Sequence, residues 1–212
     1  MGSGKTARLY LPEGTASVTA TTEVEQLKQG SSKEEKQRAG HQEIQGETIA
    51  KFEFFENGYN PYSRYLDVDK VDLILRKRSG DLVEYKEIQV KYGRLYDTGP
   101  KWQKALFDVT SWRFFRLDEF SKCNNGLYLA YVLSHPEGYK GDIFIFPVEV
   151  FDGLVKSVIR VNTKKGPRSK MYIARAVNSD RWFMWRKSKF DQLNKDNSIE
   201  VTKYRRNFKW IG

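Results

Sequence analysis

The chain has 212 residues, with one cysteine, two histidines, and 37 Lys and Arg against 27 Asp and Glu, giving a net charge of +10. This composition excludes an internal disulfide framework and a Cys/His zinc site. No run approaches the roughly 20 apolar residues of a membrane span, and the start lacks the apolar core of a secretory signal. We therefore expect no membrane partner and a cytoplasmic protein, or a nuclear one if the source is eukaryotic.

The positive charge is concentrated at the end of the chain. Residues 1–40 carry six Lys/Arg and five Asp/Glu, residues 41–159 carry 16 and 18, and residues 160–212 carry 15 and four. A localised basic region attracts a polyanion through counterion release. We predict a mostly disordered segment over 1–40, a folded core over 41–159, and a basic, aromatic-rich part of the same domain over 160–212 that contacts nucleic acid.

The first predicted elements are a helix and a β-hairpin. Apolar residues from His41 to Phe55 recur at helical spacing, and Asn57-Gly58 supplies a stop. Residues 59–66 are aromatic around a proline, which predicts an edge strand or a loop. Residues 71–76 and 82–92 flank the turn signal Ser79-Gly80 and predict two antiparallel strands.

The later elements complete one α/β domain. Residues 102–120 are predicted to form a helix, and the apolar runs 126–133 and 142–146 to form buried central strands. A short helix over 149–159, a strand over 171–177 and a short helix over 188–194 follow. The segment 164–170 combines four cations with glycine and proline, which indicates an exposed loop.

Polar residues at one end of the hairpin carry the predicted chemistry. Asp72 begins its first strand, and Gln89-Val90-Lys91 lies on the second. Alternation along the second strand places Gln89 and Lys91 on one face. A carboxylate, an amide oxygen and a backbone carbonyl suit a hard divalent cation, and a nearby lysine can orient or deprotonate an attacking water.

A plainer interpretation of the same residues stays open. Asp72 can belong to a solvated acidic loop with Asp67 and Asp69. Gln89 and Lys91 can be polar residues on the wet face of a half-buried strand, which is the usual meaning of such alternation.

Three segments in order support the catalytic interpretation: Gly46-Glu47 on the helix, then VDLIL over 71–75, then YKEIQVK over 85–91. Together they resemble the PD-(D/E)XK nuclease superfamily, in the branch with glutamine at the third-motif acidic position that includes group I intron homing endonucleases. The resemblance implies an α/β fold with a restriction-endonuclease-like αβββαβ core. Its mixed central sheet would be flanked by helices, and here it would carry a basic C-terminal extension.

The resemblance also implies magnesium-dependent phosphodiester hydrolysis, with manganese as a substitute. Asp72 would be the principal metal ligand and Gln89 the second, assisted by the carbonyl of Val90, while Glu47 completes the metal shell. Lys91 would be the catalytic lysine. Gln89 is neutral where most members carry an acid, so metal affinity should fall, and Glu87 on the same face could supply a substitute carboxylate.

The basic C-terminal part supplies the predicted nucleic-acid contacts. These are Lys164, Lys165, Arg168, Lys170, Arg181, Arg186, Lys187, Arg205 and Arg206. Aromatic residues of this region, including Trp182 and Trp185, can either stack on unpaired bases or close the core, and their spacing favours the core.

The leading hypothesis from the sequence is a DNA endonuclease of the restriction or homing type, which by family analogy acts as a homodimer or higher homo-oligomer. A catalytically silent nucleic-acid-binding module on the same fold is the first alternative, with Gln89 marking a degraded metal site. A structure-selective nuclease such as a Holliday junction resolvase is the second.

Overall fold

The computed structural model describes residues 40–63, 70–121, 123, 126–164 and 166–211. The predicted disordered segment, except its last residue, and the predicted contact Lys165 lie outside these ranges, as do Asp67 and Asp69. Gln42–Gly212 form one compact unit. No described helix is both long enough and apolar enough to cross a membrane.

Three helices and eleven strands make up the described fold. Helix α1 covers residues 40–56, which confirms the first predicted helix. The other elements are, in chain order, β1 Asn60–Ser63, β2 Leu73–Ser79, β3 Leu82–Arg94, β4 Tyr96–Asp97, α2 Lys101–Leu106, β5 Phe107–Arg116, β6 Leu127–His135, β7 Gly138–Pro147, α3 Val148–Ser157, β8 Ile159–Thr163, β9 Gly166–Ala176, β10 Trp182–Trp185 and β11 Ser198–Glu200, with 3₁₀ turns at Thr202–Tyr204 and Phe208–Ile211.

Sheet I has five strands in the order β1-β2-β3-β6-β7. The β2–β3 pair is the predicted hairpin, with Leu73 opposite Ile88 and Ser79 opposite Leu82. Strand β3 is parallel to β6, and the other neighbours in this sheet are antiparallel. The expectation of an α/β fold built on a mixed sheet is therefore confirmed.

Sheet II is antiparallel and joins β11, β10, β9, β5 and β4, with β8 beside the first half of β9. One face of sheet I packs against α1 and the last 3₁₀ turn, through a core that includes Ala50, Phe54 and Val90. Its other face packs against sheet II and α3 through a core that includes Leu129 and Ile173. Sheet I is thus covered by α1 on the first face, and by a second sheet together with α3 on the other.

The largest error of the sequence analysis is the predicted helix over 102–120. Helix α2 ends at Leu106, and residues 107–116 form strand β5. Aromatic residues lie on both faces of β5, so its sequence does not show the two-residue period of a strand. The strand is stabilised by pairing with β9, about 60 residues later, which a local sequence pattern does not reveal.

Two smaller predictions are also wrong. Residues 188–194 form bends rather than a helix. The predicted exposed loop 164–170 is mostly strand, since β9 begins at Gly166 and pairs with β8 from Thr163 back to Ile159.

Candidate active site

The candidate site lies where the β2–β3 ladder ends. The ladder stops at Leu73, while β3 continues to Arg94. Asp72 then makes two further contacts with β3: its N–H donates to the carbonyl of Ile88 at 2.9 Å, and its Oδ2 accepts from the N–H of Val90 at 2.6 Å. The carboxylate therefore takes the place of a ladder carbonyl, which fixes it against β3.

The backbone of Val90 faces the same end of the β2–β3 ladder, where β3 continues beyond Asp72; we name this place the notch. In a strand, the N–H and C=O of one residue point to the same edge. Because the N–H of Val90 reaches Asp72, its carbonyl also faces the β2 side of β3. The Val90 side chain is buried in the core beneath α1, so only its backbone is available to this edge.

Gln89 lies on the face of sheet I that meets sheet II. Its side chain is 4% exposed, and its Oε1 has no hydrogen-bond partner among the described residues. A buried polar atom left unsatisfied costs about 1–3 kcal/mol. Such an atom calls for an ion or an ordered water, and an amide oxygen beside Asp72 suits a hard cation.

Lys91 shares this face with Gln89 and is surrounded by charges. Burial lowers the pKa of its ammonium group, and the cation of Arg113 lowers it further, whereas Glu119, Asp72 and Glu43 act in the opposite direction. These groups come from α1, from β5 and its following turn, and from the start of β2. The fold therefore buries most of the Lys91 ammonium group and surrounds it with charged side chains, one of which is Asp72 from the same hairpin.

Arg113 and Glu119 are site neighbours that the sequence analysis missed. Arg113 Nη1 donates to the carbonyl of Tyr92 at 3.0 Å, which anchors the guanidinium beside Lys91. Glu119 Oε2 accepts from the N–H of Arg116 at 3.1 Å, and its carbonyl accepts from Lys70. The alternation of residues 109, 111, 113 and 115 was the available signal, and the helix assignment of this segment concealed it.

Glu47 is positioned by helix α1. A Cβ on the preceding residue, Gly46, would lie 2.9 Å from Cβ of Tyr92, so α1 approaches β3 as closely as a glycine permits. Glu47 is half-buried. Helix α1 packs on the face of sheet I opposite to Gln89 and Lys91, so Glu47 is not among the residues that the hairpin itself brings together.

The donor set at the notch consists of oxygen atoms. No group of three or more His, Cys, Asp or Glu side chains suited to a metal is present in the described part of the chain. Asp72, Glu47 and Glu87 therefore do not form a three-carboxylate site, and two of the candidate ligands, Gln89 and the carbonyl of Val90, are neutral. One carboxylate with two neutral oxygens fits a hard ion such as Mg²⁺ that keeps several waters. Glu87, the possible substitute acid, lies on the same face opposite Ile74, one pleat further from Asp72.

Comparisons with protein-family models, curated proteins and solved structures found no match. Any inference about the function of this protein therefore depends on the chemistry of the site.

The predicted nucleic-acid contacts fall into two groups. Lys164, Arg168 and Lys170 lie on the β8–β9 hairpin, and Lys187 is exposed after β10. Four of the remaining five have partners within the chain: Arg181 with Glu200 at 2.7 Å, Arg186 with the carbonyl of Lys195 at 2.9 Å, Arg205 with Asp142 at 2.9 Å and Arg206 with Glu53 at 2.8 Å. The fifth, Lys165, lies outside the described residues.

Arg205 and Arg206 bind carboxylates in the interior. Asp142 is 1% exposed and also accepts from His135 Nε2 at 3.0 Å, while Glu53 accepts from the hydroxyl of Tyr139 at 2.6 Å. These contacts give the two arginines a structural role in closing the C-terminal segment over β7. The aromatic residues Trp182 and Trp185 are buried, as the core interpretation predicts.

Proposed function

We propose that this protein is a magnesium-dependent endonuclease that hydrolyses phosphodiester bonds of DNA. The observation that supports the proposal is the register of the hairpin, which places Asp72, whose carboxylate accepts from Val90 N–H, opposite Gln89, whose buried Oε1 has no partner among the described residues, with Lys91 on the same face of β3. The element order supports it as well. Helix α1 is followed by β1, β2 and β3 in chain order, which matches the αβββ part of the expected core.

In this proposal the chain supplies ligands, orientation and charge. Asp72, Gln89 Oε1 and the carbonyl of Val90 would hold the ion, and Glu47, on α1 at the opposite face of sheet I, is the remaining ligand that the resemblance implies. A bound Mg²⁺ would polarise the phosphoryl group and acidify the attacking water. Lys91 would orient that water or take its proton, and Arg113 would offset the negative charge that builds on the phosphate.

Plasmid cleavage tests the proposal. Purified protein is incubated with supercoiled DNA in Mg²⁺, Mn²⁺ or chelator. Asp72→Asn and Lys91→Met should each lose on the order of 100-fold or more in cleavage rate, and both should still bind DNA in a gel-shift assay. Matched controls are Asp81→Asn, in the exposed hairpin turn, and Lys86→Met, on the opposite face of β3; both should cleave like the parent. Full activity of Asp72→Asn would refute the proposal.

The silent-module alternative is favoured by one observation, the lack of a three-carboxylate cluster among the described residues. Calorimetric titration with Mg²⁺ or Mn²⁺ separates the two functions. Gln89→Glu adds a charge at a place that already holds an unpartnered oxygen, so it should tighten ion binding. Absence of ion uptake by the parent and by Gln89→Glu would favour the silent module.

The substrate form and the oligomeric state are further parts of the proposal. Cleavage of linear duplex compared with branched duplex distinguishes a restriction or homing activity from a junction resolvase. Sedimentation of the parent with and without DNA tests the proposed homodimer, which would bring two notches to opposite strands.

A further inference from the structure

The outer face of sheet II, turned away from sheet I, carries exposed aromatic rings. Trp112 and Phe114 on β5 alternate with the core residue Phe115, so their rings point outward, and they are 48% and 37% exposed. Tyr172 on β9 lies opposite Trp112 and is half-buried, with one side of its ring stacked on Trp185, and Tyr96 on β4 is 52% exposed beside Thr110. We name Tyr96, Trp112, Phe114 and Tyr172 the aromatic platform.

Lys170 lies at the centre of this platform. Its Nζ is 4.9 Å from the ring centroid of Trp112, 4.9 Å from that of Tyr172 and 5.9 Å from that of Phe114. The ring centroids of Trp112 and Phe114 are 5.4 Å apart with their planes at 75°. The cation therefore lies among three rings, on the surface rather than in the core.

Cations lie beside the rings on this face. The outward positions of β5 and β9 next to them include Arg116, Arg168 and Lys170, whereas Glu200 on β11, at the far edge of the sheet opposite Phe183, is paired with Arg181. Arg116 binds Asp118, the residue two positions after β5, at 2.8 Å. Arg168 and Lys170 thus dominate the electrostatics around the rings.

We infer that the aromatic platform binds an unpaired stretch of nucleic acid. Exposed rings can stack on bases of any sequence, and cations beside them neutralise phosphates. Because the rings of Trp112 and Phe114 are in edge-to-face contact, a base that stacks on one ring also contacts the edge of the other. The bases of a duplex are stacked inside the helix, so the rings cannot stack on them. A second copy of the chain is also disfavoured as the partner, because it would bring the same cations against Arg168 and Lys170.

This inference goes beyond the proposed function, because the platform and the notch share no residue. Arg113 projects from β5 toward Lys91, whereas its neighbours Trp112 and Phe114 project to the other side. Binding at the platform requires neither metal nor cleavage. The platform would hold an unpaired strand at a distance from the notch.

Fluorescence anisotropy with a labelled 12-nucleotide oligo-dT and a 12-base-pair duplex, both in chelator, tests the inference. Trp112→Ala should weaken oligo-dT binding on the order of tenfold, while Trp112→Phe retains most of it, since base stacking needs a ring. Phe55→Ala is the matched control, because Phe55 is 64% exposed on α1, on the far side of sheet I. Asp72→Asn should bind oligo-dT like the parent, so a failure of the proposed cleavage leaves this result intact.

Salt titration gives a second readout that packing alone would not move. Lys170→Ala should reduce the slope of log K against log salt for oligo-dT by about 0.7, and Lys51→Ala on α1 should leave it unchanged. The inference is overturned if the parent does not bind oligo-dT, if Trp112→Ala binds like the parent, or if it loses duplex and oligo-dT affinity equally. Sedimentation showing that Trp112→Ala turns a dimer into a monomer with unchanged oligo-dT affinity would assign the face to self-association and overturn it too.

Discussion

Replacing Arg205 by alanine tests whether this cation stabilises the fold or serves nucleic acid. The guanidinium Nε is 2.9 Å from Asp142 Oδ1, and Asp142 is 1% exposed. The substitution leaves that carboxylate with His135 alone at 3.0 Å. Breaking a buried ion pair from one side costs about 3–5 kcal/mol, and partial exposure of the Arg205 side chain points to the lower end, about 3 kcal/mol. This is a large part of a typical unfolding free energy of about 5–15 kcal/mol.

Urea unfolding measures this loss. With an m-value of about 2 kcal/mol/M, a loss of about 3 kcal/mol moves the midpoint down by about 1.5 M. Arg181→Ala is the control, since Arg181 pairs with Glu200 at the exposed surface and such pairs contribute little. The double variant Arg205→Met with Asp142→Leu should recover much of the loss, because no buried charge is then left unpaired.

The outcome that contradicts this reasoning is specific. If Arg205→Ala unfolds at the same urea concentration as Arg181→Ala and binds DNA more weakly than the parent, Arg205 is a nucleic-acid contact. The structural assignment of this arginine would then be wrong.

Three further predictions concern α1, the notch and the core. Gly46→Ala should lower the melting temperature, because the added Cβ would lie 2.9 Å from Cβ of Tyr92. Overpacking costs about 1–3 kcal/mol, which exceeds the gain in helix propensity of about 1 kcal/mol. An unchanged melting temperature would show that α1 can shift. Lys91→Met should raise the urea midpoint measured without metal, because it removes a charge that burial disfavours, whereas a lower midpoint would mean that the ammonium stabilises the fold. Trp185→Ala should lower the free energy of unfolding in urea by about 3–5 kcal/mol, because Trp185 is 1% exposed and its ring stacks on Tyr172 at 4.3 Å. A loss of oligo-dT affinity without a loss of stability would contradict its role in the core.

The amino-acid sequence by itself determined the local elements around the notch. The helical period from His41 to Phe55, the Asn57-Gly58 stop and the Ser79-Gly80 turn specify α1 and the β2–β3 hairpin through contacts between near neighbours. Alternation and the hairpin turn then place Asp72 beside Gln89 and Val90, since a turn between adjacent strands sets their register. The sequence alone therefore predicts that Asp72 and Lys91 lie at one end of the same hairpin.

Only the tertiary structure decided what surrounds these residues. Strand β5 pairs with β9 about 60 residues later, and this pairing brings Arg113 and Glu119 to Lys91 while turning Trp112 outward. The count of positive charges in residues 160–212 could not show that Arg205 and Arg206 bind interior carboxylates, because their partners are 63 and 153 residues away in the chain. Local patterns specify turns and periods, whereas the partner of a charged side chain depends on contacts between distant segments.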